Sequence, residues 1–148
     1  MRAAALMPAF ALVLAGCAGP VKVDEPDPSA QVRRICAGLV ADLPGQVLDA
    51  SRRETNPGVL SAAWGDPPIV LRCGVPQPAA MTQASQCFEV NGVGWLAEEG
   101  KGGFLFTTIG RPALVELGVP DAYAPEANAL VDVAAAIQAH DPVQQPCA

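Results

Sequence analysis

The sequence contains a single histidine, no Cys-x-x-Cys pair and no phosphate-binding loop. Catalysis by a serine or cysteine nucleophile needs a histidine that the scaffold holds in place. The one histidine, His140, lies at the end of the last predicted helix, where a surface or helix-capping role is typical. Zinc sites and redox-active thiols both favour closely spaced cysteines. The single histidine and the missing motifs predict no catalytic residue, no metal site and no cofactor. They favour a protein that is not an enzyme.

Basic residues are scarce as well. The chain has 9 Lys and Arg against 15 Asp and Glu, and its formal net charge is -6. Nucleic-acid binding and electrostatic adhesion to anionic lipid both need a basic surface. The composition therefore predicts no nucleic-acid partner. With 148 residues, the chain is long enough for one domain but not for two.

Residues 1–16 have the pattern of an export signal. Arg2 supplies a positive start, and residues 3–15 are almost wholly apolar but too few to span a bilayer as a helix. Small residues precede Cys17, as in the bacterial lipobox, where the cysteine sulfur receives a diacylglyceryl group. An ordinary secretory signal with a chance cysteine is the alternative. We expect a signal peptide over residues 1–16 and acyl chains such as palmitate at Cys17. This lipid anchor would hold the protein on the extracytoplasmic side of the cell membrane.

Residues 17–27 are predicted to be the lipidated cysteine and a flexible tether, because the segment contains two prolines, three acidic residues and little to bury. Residues 28–148 then form a single disulfide-bonded domain. An apolar stripe at helical spacing predicts a first helix over residues 28–42, with Asp27 as its N-cap. A second stripe predicts a helix over residues 125–139.

The strongest strand signal is the run 69–73, Ile-Val-Leu-Arg-Cys, which turn-forming residues bound on both sides. Alternation places Ile69, Leu71 and Cys73 on a buried face. Asn91-Gly92 stands between two apolar runs and predicts a hairpin with a type I′ turn. We expect an α+β fold, a two-layer sandwich in which an antiparallel sheet of about four or five strands carries the two amphipathic helices on one face.

Residues 64–75, with the sequence WGDPPIVLRCGV, are followed by Cys87 and by the run Val-Asn-Gly-Val over residues 90–93. With these motifs, the lipobox and the C-terminal cysteine, the chain resembles the actinobacterial DUF3515 lipoproteins over essentially its whole mature length. The resemblance implies an exported, membrane-tethered domain. It carries over no active site, because no catalytic residue is established for that family.

Apart from Cys17, four cysteines remain, and an even number in an exported domain predicts two disulfides. Three pairings are open in principle. We expect Cys73–Cys87, which would close a short loop between two strands, and Cys36–Cys147, which would tie the first helix to the chain end. In the chain-entropy model each bond would stabilise the fold by about 3 to 5 kcal/mol.

The least ordinary combination of residues is Trp64, Asp66, Arg72 and Trp95. If the prolines at 67 and 68 fold the chain back, Asp66 and Arg72 would form a small polar recognition site beside an aromatic wall. The competing interpretation is a structural ion pair, with the tryptophans in the core or at its rim.

The first functional hypothesis is a non-enzymatic, membrane-anchored module for binding or envelope assembly, with the membrane and an envelope protein as partners. The alternative is a small cell-envelope hydrolase, or a protein that binds a cell-wall or lipid precursor, with a site near Asp66 and Arg72. A cleft with converging titratable groups would favour the alternative.

Overall fold

The computed structural model describes residues 19–147. The predicted signal peptide and Cys17 lie outside the described residues, so the lipidation of Cys17 stays a prediction. Within residues 19–147, no helix has both the length and the apolar character that crossing a membrane would require.

The domain is α+β, as predicted. Its helices are α1 (Ala30–Ala41) and α2 (Ala129–His140). Its strands are β1 (Val21–Lys22), β2 (Gln46–Val47), β3 (Ala50–Arg53), β4 (Thr55–Asn56), β5 (Ser61–Trp64), β6 (Ile69–Cys73), β7 (Phe88–Val90), β8 (Val93–Gly100), β9 (Gly103–Thr108) and β10 (Val115–Pro120). Eight of the strands form one antiparallel sheet in the order β2-β3-β5-β6-β10-β9-β8-β7, and β1 pairs with β4 in parallel.

Eight strands are more than the four or five predicted. The outer strand β2 has only two residues, and β3 carries the sequence Ala-Ser-Arg-Arg. Such segments lack the apolar alternation that marks a half-buried strand in a sequence. They join the sheet because the strands beside them present backbone groups that need partners.

The hairpin predicted at Asn91-Gly92 is confirmed. The valines on either side pair with each other, and φ is 47° at Asn91 and 74° at Gly92, as a type I′ turn requires. A second two-residue hairpin joins β2 to β3 through Leu48 and Asp49, with φ of 49° and 63°. Leucine rarely adopts this conformation. The Leu48 N–H donates to the Asp132 carboxylate of α2 at 2.9 Å, which holds the hairpin against the helix.

The first helix begins two residues later than predicted. Ser29 is its N-cap instead of Asp27, because the Ser29 hydroxyl accepts from the Val32 N–H at 3.4 Å. Asp27 accepts instead from the Arg33 guanidinium at 2.5 Å. The second helix also starts later than predicted, after a 3-10 turn over Glu126–Asn128.

The core lies between the helices and one face of the sheet. Alternate strand residues, among them Ile69, Leu71 and Leu117, are fully buried with helix residues such as Leu39 and Ile137. We call the opposite face of the sheet the outer face. Two rows of paired residues cross it. The polar row runs through Ser61, Arg72, Glu116 and Thr107. The apolar row runs through Ala63, Val70, Gly118 and Leu105.

The strands define two ends of the sheet. The β5–β6 turn (residues 65–68) and the β8–β9 turn (residues 101–102) lie together at one end, which we call the turn end. At the opposite, loop end lie residues 74–87, residues 109–114 and the C-terminal tail, residues 142–147. The five residues of β6 separate the two ends by about 16 Å at roughly 3.3 Å per residue.

Two disulfides are present, but not the predicted ones. Cys36 of α1 bonds to Cys73 of β6, and Cys87 bonds to Cys147 of the tail, with Cα separations of 5.5 and 5.7 Å. Cys36 and Cys73 are fully buried between helix and sheet. The predicted pairs Cys73–Cys87 and Cys36–Cys147 are wrong, because Cys73 faces the helix layer while Cys87 lies beside the tail.

Residues 19–27 lie against the domain, which differs from the flexible tether expected from their composition. β1 pairs with β4, and the Arg53 guanidinium donates to the Gly19 carbonyl at 3.0 Å. One carboxylate oxygen of Glu25 accepts from the backbone N–H groups of Gly58 and Leu60 and, at 2.5 Å, from the Ser61 hydroxyl. Long-range hydrogen bonds therefore fix a segment that has little to bury.

Candidate functional site

A polar cleft lies at the loop end of the sheet, with a volume of about 770 Å³. The 77–87 loop forms one wall, the 109–114 segment forms the floor, and the tail forms the other wall. We call it the polar cleft. Its neutral hydrogen-bonding side chains are Gln77, Thr82, Gln83, Ser85, Gln144 and Gln145.

The tail wall is held in two ways. The Gly110 carbonyl accepts from the backbone N–H groups of Gln144 and Gln145 at 2.8 and 3.0 Å. The Cys87–Cys147 disulfide then joins the tail to the start of β7. Gly94 of β8 makes room for this bond, because a Cβ at that position would lie 2.6 Å from the Cys147 sulfur and 3.0 Å from that of Cys87.

The loop wall is shaped by hydrogen bonds within it. The Ser85 hydroxyl donates to the Ala80 carbonyl at 2.8 Å and accepts from the Thr82 N–H at 2.7 Å. The Gln77 amide donates to the Met81 carbonyl at 2.7 Å. Gln83 on this wall, and Gln144 and Gln145 across from it, are exposed at the surface. Amide side chains both donate and accept hydrogen bonds, so these groups suit a neutral ligand that does the same.

Arg111 is the charged side chain in the lining of the cleft, and its hydrogen bonds are made to backbone carbonyls of the domain. It is 7% exposed, and its guanidinium donates to the carbonyls of Asp141 and, at 2.9 Å, of Gly92. Burial lowers the pKa of Arg111, while the charges of Asp141 and Glu89 raise it. These bonds tie the end of α2 to the β7–β8 hairpin beneath the cleft.

Asp141, directly after α2, is a buried carboxyl behind this floor. One oxygen accepts from the Ala113 N–H at 3.1 Å, and the other has no hydrogen-bond partner within residues 19–147. Burial raises the pKa of Asp141 to about 6, although the Ala113 N–H and the charge of Arg111 lower it. The raised pKa reflects the cost of holding a charged carboxylate without full solvation.

The predicted combination of Trp64, Asp66, Arg72 and Trp95 does not assemble. Arg72 pairs with Glu116 on the next strand, with its Nε 2.8 Å from the carboxylate, and not with Asp66. A further Arg72 nitrogen donates to the carbonyl of Asp24 at 3.2 Å. The guanidinium thereby joins the N-terminal segment to the outer face, which is a structural role.

Asp66 and the two tryptophans also lie apart from a shared site. The Asp66 side chain is 82% exposed and 4.0 Å from the Arg53 guanidinium. Trp64 and Trp95 are both fully buried, so they form no aromatic wall around a ligand. The Trp64 ring donates to the Pro44 carbonyl at 2.9 Å. The structure therefore agrees with the competing interpretation, in which the two tryptophans belong to the core and Asp66 and Arg72 form structural ion pairs.

His140 joins the two helices. Its Nε2 lies 2.6 Å from the carboxylate of Asp42, which follows α1, and its ring packs on Gly38, where a Cβ would meet it at 2.7 Å. The helix-end position predicted for this residue is confirmed. The contact links the C-terminal ends of the two helices and is partly exposed to solvent.

The fold and the cleft define a class: a small α+β domain, held by two disulfides, with a polar cleft between a loop and the C-terminal tail. The chain belongs to the family described as "Protein of unknown function (DUF3515)", whose model matches residues 3–146. No curated protein and no solved structure matches the chain.

Sequence reasoning did not find the cleft. Its amide side chains lie in a proline-rich loop and in a tail that are far apart in the sequence. The available signal was the cysteine at 147, because a disulfide to Cys87 brings the tail beside the loop. The expected pair Cys36–Cys147 placed the tail beside the first helix instead, which concealed that relationship.

Proposed function

We propose that the protein is a lipid-anchored, extracytoplasmic binding module whose polar cleft takes a neutral ligand rich in hydroxyl and amide groups, such as a cell-wall glycan. The observation that carries the proposal is the lining of the cleft. Its exposed polar groups are amides and hydroxyls, and its charged side chain, Arg111, is committed to backbone carbonyls. Such a lining can orient a polar ligand, but it offers no group poised for proton transfer.

The anchored and exported location is supported by the lipobox before Cys17 and by the two disulfides, which are typical of oxidising compartments. Two acyl chains are enough for stable attachment to a membrane. The hydrolase or precursor-binding alternative was assigned to Asp66 and Arg72, and these side chains have separate partners. No observation favours that alternative.

The anchor is tested with the full chain expressed in a bacterium that acylates lipoproteins. We expect the protein to incorporate labelled palmitate and to partition into the detergent phase. The Cys17→Ser variant should incorporate no label and be released from the membrane. An unacylated wild-type protein with reduced cysteines would overturn the location.

The cleft is tested by NMR titration of the Cys17→Ser protein with soluble cell-wall glycan fragments. We expect shifts in residues 77–87 and 144–147, and weaker binding by Gln83→Ala and Gln145→Ala. The loss of one hydrogen bond to a neutral group corresponds to about 1 kcal/mol, or roughly a fivefold change in affinity. Gln31→Ala, at an exposed position on α1, is the matched control and should bind like the parent protein. Binding that all three variants leave unchanged would place the ligand elsewhere.

A further inference from the structure

The start of the described chain is fixed at the turn end of the sheet. Arg53 on β3 donates from one nitrogen to the Gly19 carbonyl at 3.0 Å and from another to the Gly65 carbonyl at 2.9 Å. Gly65 belongs to the β5–β6 turn. From Gly19 the chain runs along the outer face towards the loop end, because β1 is parallel to β4. The N-terminal segment thus enters the domain at the end opposite the polar cleft.

This position limits where an anchor on Cys17 can lie. Only Ala18 separates Cys17 from Gly19, and the step from residue 17 to residue 19 spans at most about 7 Å. If Cys17 carries acyl chains, as proposed above, these chains leave the protein beside the 65–68 turn. A free tether of ten residues would have allowed any orientation, whereas this short connection does not.

The surface beside that point has a shallow apolar groove of about 390 Å³ at the turn end. It continues the apolar row of the outer face, and the residues that line it include Pro68, Val70, Leu105 and Pro120, with Lys101 at its rim. The nearby charges are mixed, because Arg53 and Lys101 are positive and Asp66 is negative. Contact with lipid would therefore depend on the anchor and on apolar area, and not on attraction to anionic headgroups.

We propose that the turn end rests on the phospholipid surface, with lipid occupying the apolar groove, and that the polar cleft consequently faces away from the membrane. This inference rests on the proposed acylation of Cys17. β6 alone places the cleft about 16 Å beyond the turn end. The cleft is therefore presented to polymers outside the membrane, and lipid headgroups are kept from it.

The chain has only two lysines, Lys22 and Lys101, so amine labelling can report this orientation. Acylated protein is placed on vesicles of phosphatidylcholine and phosphatidylglycerol, which carry no primary amine, and treated with a water-soluble amine-reactive ester. A second reporter is introduced at the cleft by Gln145→Lys. Mass spectrometry then compares the labelling rate of each site on vesicles with that of the Cys17→Ser protein in solution.

We expect Lys101 to react several-fold more slowly on vesicles, while the amine introduced by Gln145→Lys keeps its solution rate. Inserting about twenty Gly and Ser residues before Gly19 gives a flexible linker of about 25 Å and should restore Lys101 labelling without releasing the protein. Shielding of Lys101 that persists with this linker also supports the proposal and assigns the contact to the groove.

Two outcomes separate the orientation from the anchor. If the acylated protein stays on the vesicles but both sites label equally, or the cleft site alone is shielded, the orientation is overturned and the anchor stands. If the protein is not acylated and does not bind the vesicles, both the proposed function and the orientation fall.

Discussion

Cys87 and Cys147 form a disulfide that joins the two walls of the polar cleft, with their Cα atoms 5.7 Å apart. The bond connects residues 60 positions apart in the chain, whereas the Cys36–Cys73 bond connects positions 37 apart. The Cys36–Cys73 bond is buried between helix and sheet and stabilises the core. The Cys87–Cys147 bond joins the cleft walls and sets the shape of the cleft.

The first prediction concerns this connectivity. Trypsin leaves Cys73 and Cys87 in one peptide, but cleavage after Met81 separates them. Non-reducing mass spectrometry after both cleavages should therefore find one linked peptide pair containing Cys36 and Cys73 and another containing Cys87 and Cys147. A bond between the two fragments on either side of Met81 would contradict the structure.

The second prediction concerns Arg72 and Glu116. The Glu116 side chain is 11% exposed, so Arg72→Leu leaves a carboxylate nearly buried without its partner. We expect the free energy of unfolding to fall by about 3 kcal/mol, and the double variant Arg72→Leu/Glu116→Leu to recover much of this loss. Chemical denaturation measures both changes.

Asp66→Asn is the control for this pair. Its side chain is exposed and only 4.0 Å from Arg53, so we expect a change within about 0.5 kcal/mol. If Asp66→Asn lowered the stability as much as Arg72→Leu, the originally expected Asp66–Arg72 pair would be favoured over the one described.

The third prediction concerns pH and Asp141. Its pKa rises from an ordinary 3.8 to about 6 in the folded protein, so the folded state holds this proton more tightly than the unfolded chain does. The stabilisation from this group is complete below about pH 4 and is lost as the pH rises through 6, by about 3 kcal/mol in total. Asp141→Asn keeps an oxygen for the Ala113 N–H and cannot ionise.

We therefore expect the difference in unfolding free energy between the wild type and Asp141→Asn to change between pH 4 and pH 7, in favour of the variant at the higher pH. Comparing the two proteins removes the contributions of the other carboxylates. A difference that stays constant over this range would show that the Asp141 carboxylate is better solvated than its burial indicates.

The fourth prediction concerns Gly110 and the tail. Gly110 has a φ of 71°, and a Cβ there would collide with the backbone of Gln145. Gly110→Ala should therefore displace the tail from the cleft at a cost on the order of 2–3 kcal/mol. Hydrogen exchange at Gln144 and Gln145 should accelerate, because both donate to the Gly110 carbonyl.

Gly102→Ala is the matched control for this change. Gly102 has a similar φ of 85°, but a Cβ there would meet nothing within 4 Å. It should cost only about 1 kcal/mol, from the left-handed conformation alone, and leave exchange in the tail unchanged. Equal losses in both variants would mean that the close contact between Gly110 and the tail has no energetic effect.

Features with a local cause could be predicted from the sequence. The Asn91-Gly92 turn depends on backbone preferences of two adjacent residues, and the buried face of Ile69, Leu71 and Cys73 depends on alternation within one strand. Helix positions were correct to within a few residues because apolar spacing marks them.

Features that depend on distant contacts could not be predicted in the same way. Glu25 is one of several acidic residues near two prolines, and only its contact with Gly58, Leu60 and Ser61 makes the segment part of the domain. The Cys36–Cys73 bond was within reach, because Cys36 belongs to the apolar stripe that predicts the first helix and Cys73 was predicted to lie on the buried face of its strand. The positions of Cys73 and Cys87 at the ends of two strands were given more weight than the shared buried layer, and they were the weaker guide.

The two edges of the sheet affect how readily copies of the protein associate with one another. β2 and β7 are very short, and α2 contacts the hairpins at both edges, through Asp132 at Leu48 and through the Gln138 amide, which donates to the Asn91 carbonyl at 2.7 Å. If Cys17 is acylated as proposed, the molecules are confined to the membrane surface and meet more often than molecules in bulk water. Within the described residues, β7 pairs only with β8 as far as Trp95, so the rest of β8 is an edge without a strand partner. Glu98 and Glu99 lie on this edge, and charged side chains there disfavour edge-to-edge pairing with a neighbouring copy.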